Sequence, residues 1–131
     1  GIDILEDNVI ECRERLFEIA DASYTASFKK KAKDDVRRVI RFILQKNIIW
    51  GNALSLMTVG PQPRQIIFSE WSPVNGNLLK RRDFAFKELV EQSSMRDLPL
   101  FSDMGEQAFI PVPVREFPPT HFLKIADDPA V

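Results

Sequence analysis

Apolar residues return every three or four positions over the first third of the chain, then nearly every second position after Asn47. In "IDILEDNVIECRERLFEIADAS", residues Ile2, Leu5, Val9, Cys12, Leu16 and Ile19 alternate steps of three and four, which is the spacing of a helical seam. Asp7, Glu11, Glu14 and Glu18 form an acidic stripe on the other side, and Asp3 is placed to cap the start. In "FKKKAKDDVRRVIRFILQK", residues 28–46, Phe28, Ala32, Val36, Val39, Ile40 and Ile43 fall on one side of a second helix. Lys30, Lys33, Arg37, Arg38 and Arg41 fall on the other. The pattern predicts an apolar arc pressed on a core and a basic face left in solvent, with Asp34 pairing to basic neighbours one turn away.

Beyond Asn47, "NALSLMTVG" and "RQIIFSEW" read as two strands of a hairpin around the turn-former "GPQP", and Asn75–Gly76 marks a second tight turn. "LKRRDFAFKELVEQ" reads as a strand running into a helix, and "SSMRDLPLFSDMGEQ" as a long loop. "AFIPVPVREF" and "HFLKIAD" read as strands joined by "PPT". Pro111 and Pro113 remove two donors from one side, so the first of these belongs at a sheet edge.

The expected fold class is α+β: two N-terminal helices packed on a small, mainly antiparallel β-sheet, with a further short helix after the first hairpin. At 131 residues the chain fits one domain, residues 1–131, helical over residues 1–47 and sheet-rich over residues 48–131. This order of helices then strands is similar to that of GAF-type and PAS-type sensor domains. The resemblance, one of element order, implies a ligand cupped between sheet and loops.

Composition is that of a globular protein, 44% hydrophobic and 28% charged. The formal charge of −1 conceals segregation along the chain: residues 1–28 carry −5, residues 29–46 carry +6, residues 80–87 carry +3 and residues 88–131 carry −5. Local fields therefore matter more than the net charge. A single cysteine cannot form an internal disulfide and suits a reducing compartment. No apolar run reaches the length of a membrane span, and the acidic start is unlike a signal peptide, so a cytoplasmic location is expected.

Catalytic and metal-binding chemistry is thinly represented. His121 is the only histidine and Cys12 the only cysteine, which rules out the usual zinc sets within one chain. Cys12 lies on the apolar seam, where a buried thiol resists ionisation. The five glycines are scattered and form no phosphate-binding loop. No cofactor, metal site or catalytic residue is assigned, and an enzyme is the least favoured class.

The large rings cluster in the sheet-rich half. Trp50, Phe68, Trp71, Phe84, Phe86 and Phe109, with Glu70 and His121, make up a candidate sheet-side pocket for a small apolar ligand. The leading expectation is thus a non-catalytic small-molecule-binding, protein-interaction or regulatory domain. The alternative is a nucleic-acid-associated protein using Lys30, Lys33, Arg37, Arg38 and Arg41. The seam Leu5, Val9, Cys12, Leu16 and Ile19 also suits a homodimer, in which the oppositely charged helical faces pair between copies.

Overall fold

The computed structural model describes residues 1–96 and 111–127, with side chains as far as Glu91 and again from Pro111. The chain begins with a two-residue strand, β1 (Ile2–Asp3), and a long helix, α1 (Glu6–Phe28). The Asp3 carboxylate accepts from the Leu5 N–H at 2.8 Å and the Asn8 side chain at 3.2 Å, so it shapes the turn before α1 and does not cap the helix as expected; Leu5 stands at the N-cap with no side-chain cap. Helix α2 (Asp34–Asn47) follows, then strands β2 (Ile49–Asn52), β3 (Met57–Thr58), β4 (Ile67–Pro73) and β5 (Leu78–Ala85). Helix α3 (Phe86–Arg96) continues directly from β5. After residues 97–110, the short strands β6 (Arg115–Glu116) and β7 (Thr120–His121) lead into a 3-10 turn, Phe122–Asp127.

The protein is α+β, with α1 and α2 before Ile48 and β2 to β7 after it. Within that class, several boundaries differ from those the sequence suggests. The second helix begins at Asp34, not Phe28, because α1 runs on to Phe28 and the chain breaks through a 3-10 turn at Lys29–Lys31. Lys29 takes a positive φ of 50°, and the Lys33 N–H reaches back to the Tyr24 hydroxyl at 2.9 Å. Asp34 and Asp35 then occupy the first turn of α2, where carboxylates face the positive end of the helix dipole.

The strand expected over residues 52–60 is split by a turn at Ala53–Leu56. The Asn52 side-chain oxygen accepts from the Leu54 N–H at 2.8 Å and the Ser55 N–H at 3.3 Å, giving the backbone a local alternative to the ladder. The expected pairing around "GPQP" survives as a single Met57–Gln65 bridge. Only Arg115–Glu116 of the expected strand 108–117 is β structure among the described residues, and 121–127 is mostly 3-10 turn rather than strand. The start of the expected 93–107 loop belongs to α3, and its remainder lies outside the described residues.

Two small sheets replace the single one. In the first, β1 pairs parallel with β2, and β2 antiparallel with β3. In the second, β4 and β5 form an antiparallel hairpin, in register from Ile67↔Ala85 to Pro73↔Leu79, around a turn holding Asn75 and Gly76. β6 and β7 share the other side of β5, separated by Phe117–Pro118–Pro119, where two prolines interrupt the ladder.

Helix α2 lies at the centre, packed on α1, on β4 and on the C-terminal 3-10 turn. Val9, Phe17 and Val39 are buried in the helical half, and Ile66, Phe84, Ala85 and Ile125 in the sheet half. Ile66 is fully enclosed, and Gly51 makes room for it: a Cβ at Gly51 would come within 2.8 Å of the Ile66 Cδ1 and 3.2 Å of the Met57 carbonyl oxygen.

Candidate functional site

Successive strand residues point to opposite faces of a sheet. Phe68 and Phe84 therefore share one face of the β4–β5 hairpin with Glu70 and Arg82, while Trp71 shares the other with Ser69, Arg81 and Asp83. The residues expected to line one pocket are accordingly divided. Phe68, Phe84 and Phe86 come together, Phe86 meeting Phe68 edge-on at 5.5 Å between ring centres. Glu70, on the same face, is held by Arg82 at 2.7 Å.

The others lie elsewhere. Trp50 belongs to the other sheet and donates its indole N–H to the Ile4 carbonyl at 2.9 Å. His121 ends β7, stacks on Phe122 at 4.9 Å, and accepts from the Leu123 N–H through Nδ1. Phe109 lies outside the described residues.

The Trp71 face is built around a buried polar cluster. Asp83 accepts from the Ser69 hydroxyl at 2.6 Å and from the Arg81 Nε and Nη2 at 3.0 Å each, and all three residues are buried. Arg81 and Asp83 are two apart on one strand, so both reach the same face. The Arg81 guanidinium lies 4.0 Å above the Phe117 ring. Asn47, at the end of α2, clamps the Ser69 backbone by donating to its carbonyl at 2.8 Å and accepting from its N–H at 2.9 Å. Phe42 of α2 meets Trp71 edge-on at 6.4 Å, and the Trp71 indole N–H is buried without an acceptor among the described residues. Beside this cluster a cleft of about 530 Å³ opens between the two sheets. Ile49, Ile67 and Val114 form its apolar walls, and Lys46, Arg64 and Arg115 its charged ones.

Between the helices, Glu14 of the acidic stripe and Asp21 beside it meet the basic face within the chain. Arg37 binds Asp21 at 2.6 Å and Asp34 at 2.7 Å, and Arg41 binds Glu14 at 2.8 Å while lying 3.6 Å over the Phe17 ring. The Arg37 hydrogen bond holds the Asp21 carboxyl below the usual aspartate range, and the same bond raises Arg37. Arg38 reaches Asp127 at 2.6 Å. Lys30, Lys33, Arg38 and Arg41 are exposed as the sequence predicts, but Arg37 is only 25% exposed and lies within this network.

Arg13, whose charge the periodicity does not single out, donates to the Gln45 and Ile48 carbonyls at the end of α2. Burial lowers its pKa. A cation there satisfies carbonyls that the helix leaves open.

Among the described residues, nothing covers the side of α1 that carries Leu5, Cys12, Leu16 and Ile19. Val9 faces the core, but Leu5 is 55% exposed, Leu16 39% and Ile19 68%, and Cys12 is exposed with them. The apolar arc of α1 is wider than the surface α2 covers. This corrects the expectation of a buried thiol.

Among the described residues no three His, Cys, Asp or Glu side chains come together to hold a metal ion, and no helix is long and apolar enough to cross a membrane. No family model, curated protein or solved structure matches the chain.

Proposed function

We propose that the protein is a non-catalytic, cytoplasmic interaction domain that self-associates through the outer face of α1. The observation that carries this reading is the exposed stripe Leu5, Cys12, Leu16 and Ile19 on a 23-residue helix whose other face is already packed. Unpartnered apolar stripes on long helices mark interfaces.

Charge complementarity favours a second copy in antiparallel orientation. Asp3, Glu6 and Asp7 surround the start of α1, and Lys29, Lys30 and Lys31 follow its end. When two copies of α1 lie antiparallel with Leu16 opposite Ile19 of the second copy, Glu6 falls opposite the second copy's Lys29. Cys12 then falls opposite its Ser23. Both acidic starts meet basic ends, and the opposed helix dipoles add to the attraction. The nucleic-acid reading draws on Lys30, Lys33, Arg37, Arg38 and Arg41, and the three arginines among them already hold carboxylates within the chain.

Light scattering across concentration should report twice the 15.1 kDa chain mass. Leu16→Glu should give a folded monomer, because Leu16 takes no part in the core. Under oxidised glutathione, Ser23→Cys should cross-link to Cys12 of the second copy, whereas the wild-type chain should not, since its two Cys12 residues stand about 16 Å apart along the helices in this register. A wild-type monomer at every concentration would sink the reading. A dimer that resists the Ser23→Cys cross-link would overturn the register.

A further inference from the structure

Arginine side chains in this protein have polar partners almost everywhere. Arg13 grips carbonyls, and Arg15, Arg37, Arg38, Arg41, Arg81 and Arg82 grip carboxylates. Among the described side chains two arginines hold neither a carboxylate nor a carbonyl, Arg64 and Arg115, and both line the cleft between the two sheets together with Lys46. Arg115 rests on the Phe117 ring at 4.4 Å, and Lys46 lies 5.4 Å from the centre of the Phe42 ring. Contacts with ring faces position a cation without neutralising it.

We infer that this cleft is a binding site for a small organic anion carrying two negative charges on phosphate or carboxylate oxygens. Three uncompensated cations converge on it, and Arg64 and Arg115 offer planar forks suited to bidentate capture of such oxygens. Its one acidic lining residue, Asp83, does not repel an anion, because its oxygens already accept from Arg81 and Ser69. Ile49, Ile67 and Val114 supply an apolar wall for the body of the ligand, and about 530 Å³ lies within the range of small-molecule sites. The site contains none of the aromatic residues that the sequence nominated for a pocket, and it is independent of pairing through α1.

The test is isothermal titration with phenyl phosphate and, separately, phthalate, two aromatic dianions that differ in the charged group. Sodium chloride at matched ionic strength serves as the control. At least one dianion should saturate a single site, and the tighter of the two identifies the oxyanion. Arg64→Gln and Arg115→Gln should each weaken binding about tenfold or more, and Arg82→Gln, on the far face of the hairpin, should leave it unchanged. If Arg115→Gln fails to fold by circular dichroism, Lys46→Gln takes its place beside Arg64→Gln. Absence of saturable binding by both dianions overturns the site. So does a loss in Arg82→Gln equal to that in Arg64→Gln, which would reduce the effect to general charge.

Discussion

Ile66 and Gly51 show how narrow the tolerance is at single positions. Ile66 is fully enclosed and Gly51 lies against it, so the two residues share one volume. Ile66→Ala should cost about 2–5 kcal/mol in urea unfolding, as large-to-small changes at sealed sites do. Gly51→Ala should also destabilise, because the new methyl has no space while Ile66 is present; combined with Ile66→Val, some of the loss should return. Asp83 is held by Ser69 and Arg81 in a buried setting, and Asp83→Ala removes this carboxylate from both. A loss of about 3–5 kcal/mol is expected. Asp21 behaves differently because it sits in a partly solvated network. Its folded pKa lies below its unfolded value, so its contribution is complete above the ordinary aspartate pKa of about 4 and declines as pH falls through the lower folded value. In Arg37→Gln that component of the acid dependence should shrink, since Thr25 and Arg41 still act on Asp21, as urea midpoints between pH 2 and pH 6 would record.

Elements with a strong period or strong turn chemistry were legible in the sequence. The apolar arc of α2, the Asn75–Gly76 hairpin and the passage from β5 into α3 all follow from side-chain spacing and one turn signal. The misread elements are those in which a side chain competes with the ladder or helix for backbone groups. Asn52 does this by folding the turn that ends β2. At the end of α1, four lysines in five residues followed by two aspartates mark a helix start at Asp34, but the even apolar spacing through Ala32 masks the break. Lys29 there adopts φ 50° and ψ −119°, a conformation open chiefly to glycine. Lys29→Gly should raise stability by about 1 kcal/mol, measurable as a higher urea midpoint with unchanged slope.

For the molecule as a whole, charge segregation was legible but its partners were not. A sequence shows that residues 1–28 are acidic and 29–46 basic; only the turn at Lys29–Lys33 brings Glu14 and Asp21 against Arg41 and Arg37. The aromatic set was misjudged for a related reason: ring count does not reveal which face of a strand a ring occupies, and the β4–β5 register separates Phe68 from Trp71. The inter-sheet cleft left little trace in the sequence, since Lys46, Arg64 and Arg115 are far apart along it and only the fold brings them to one cleft. If the ends of α1 attract each other between copies, association should weaken as salt rises from 0.05 to 0.5 M, by roughly the screening expected of exposed charges. A dimer indifferent to salt would point to the apolar stripe alone.

The parallel pairing of β1 with β2 has a consequence for the order in which the molecule assembles. Ile2 meets Ile49 across both helices, whereas the β4–β5 pairing closes over a four-residue turn. Loop closure makes the distant contact the slower one. The hairpin should therefore gain protection early in refolding, and β1 should dock last, after the helical pair has brought its strand partner into place. In pulsed hydrogen exchange, amides of β5 should be protected while those of β1 and β2 still exchange, which makes the first sheet the natural place for the folded protein to open locally.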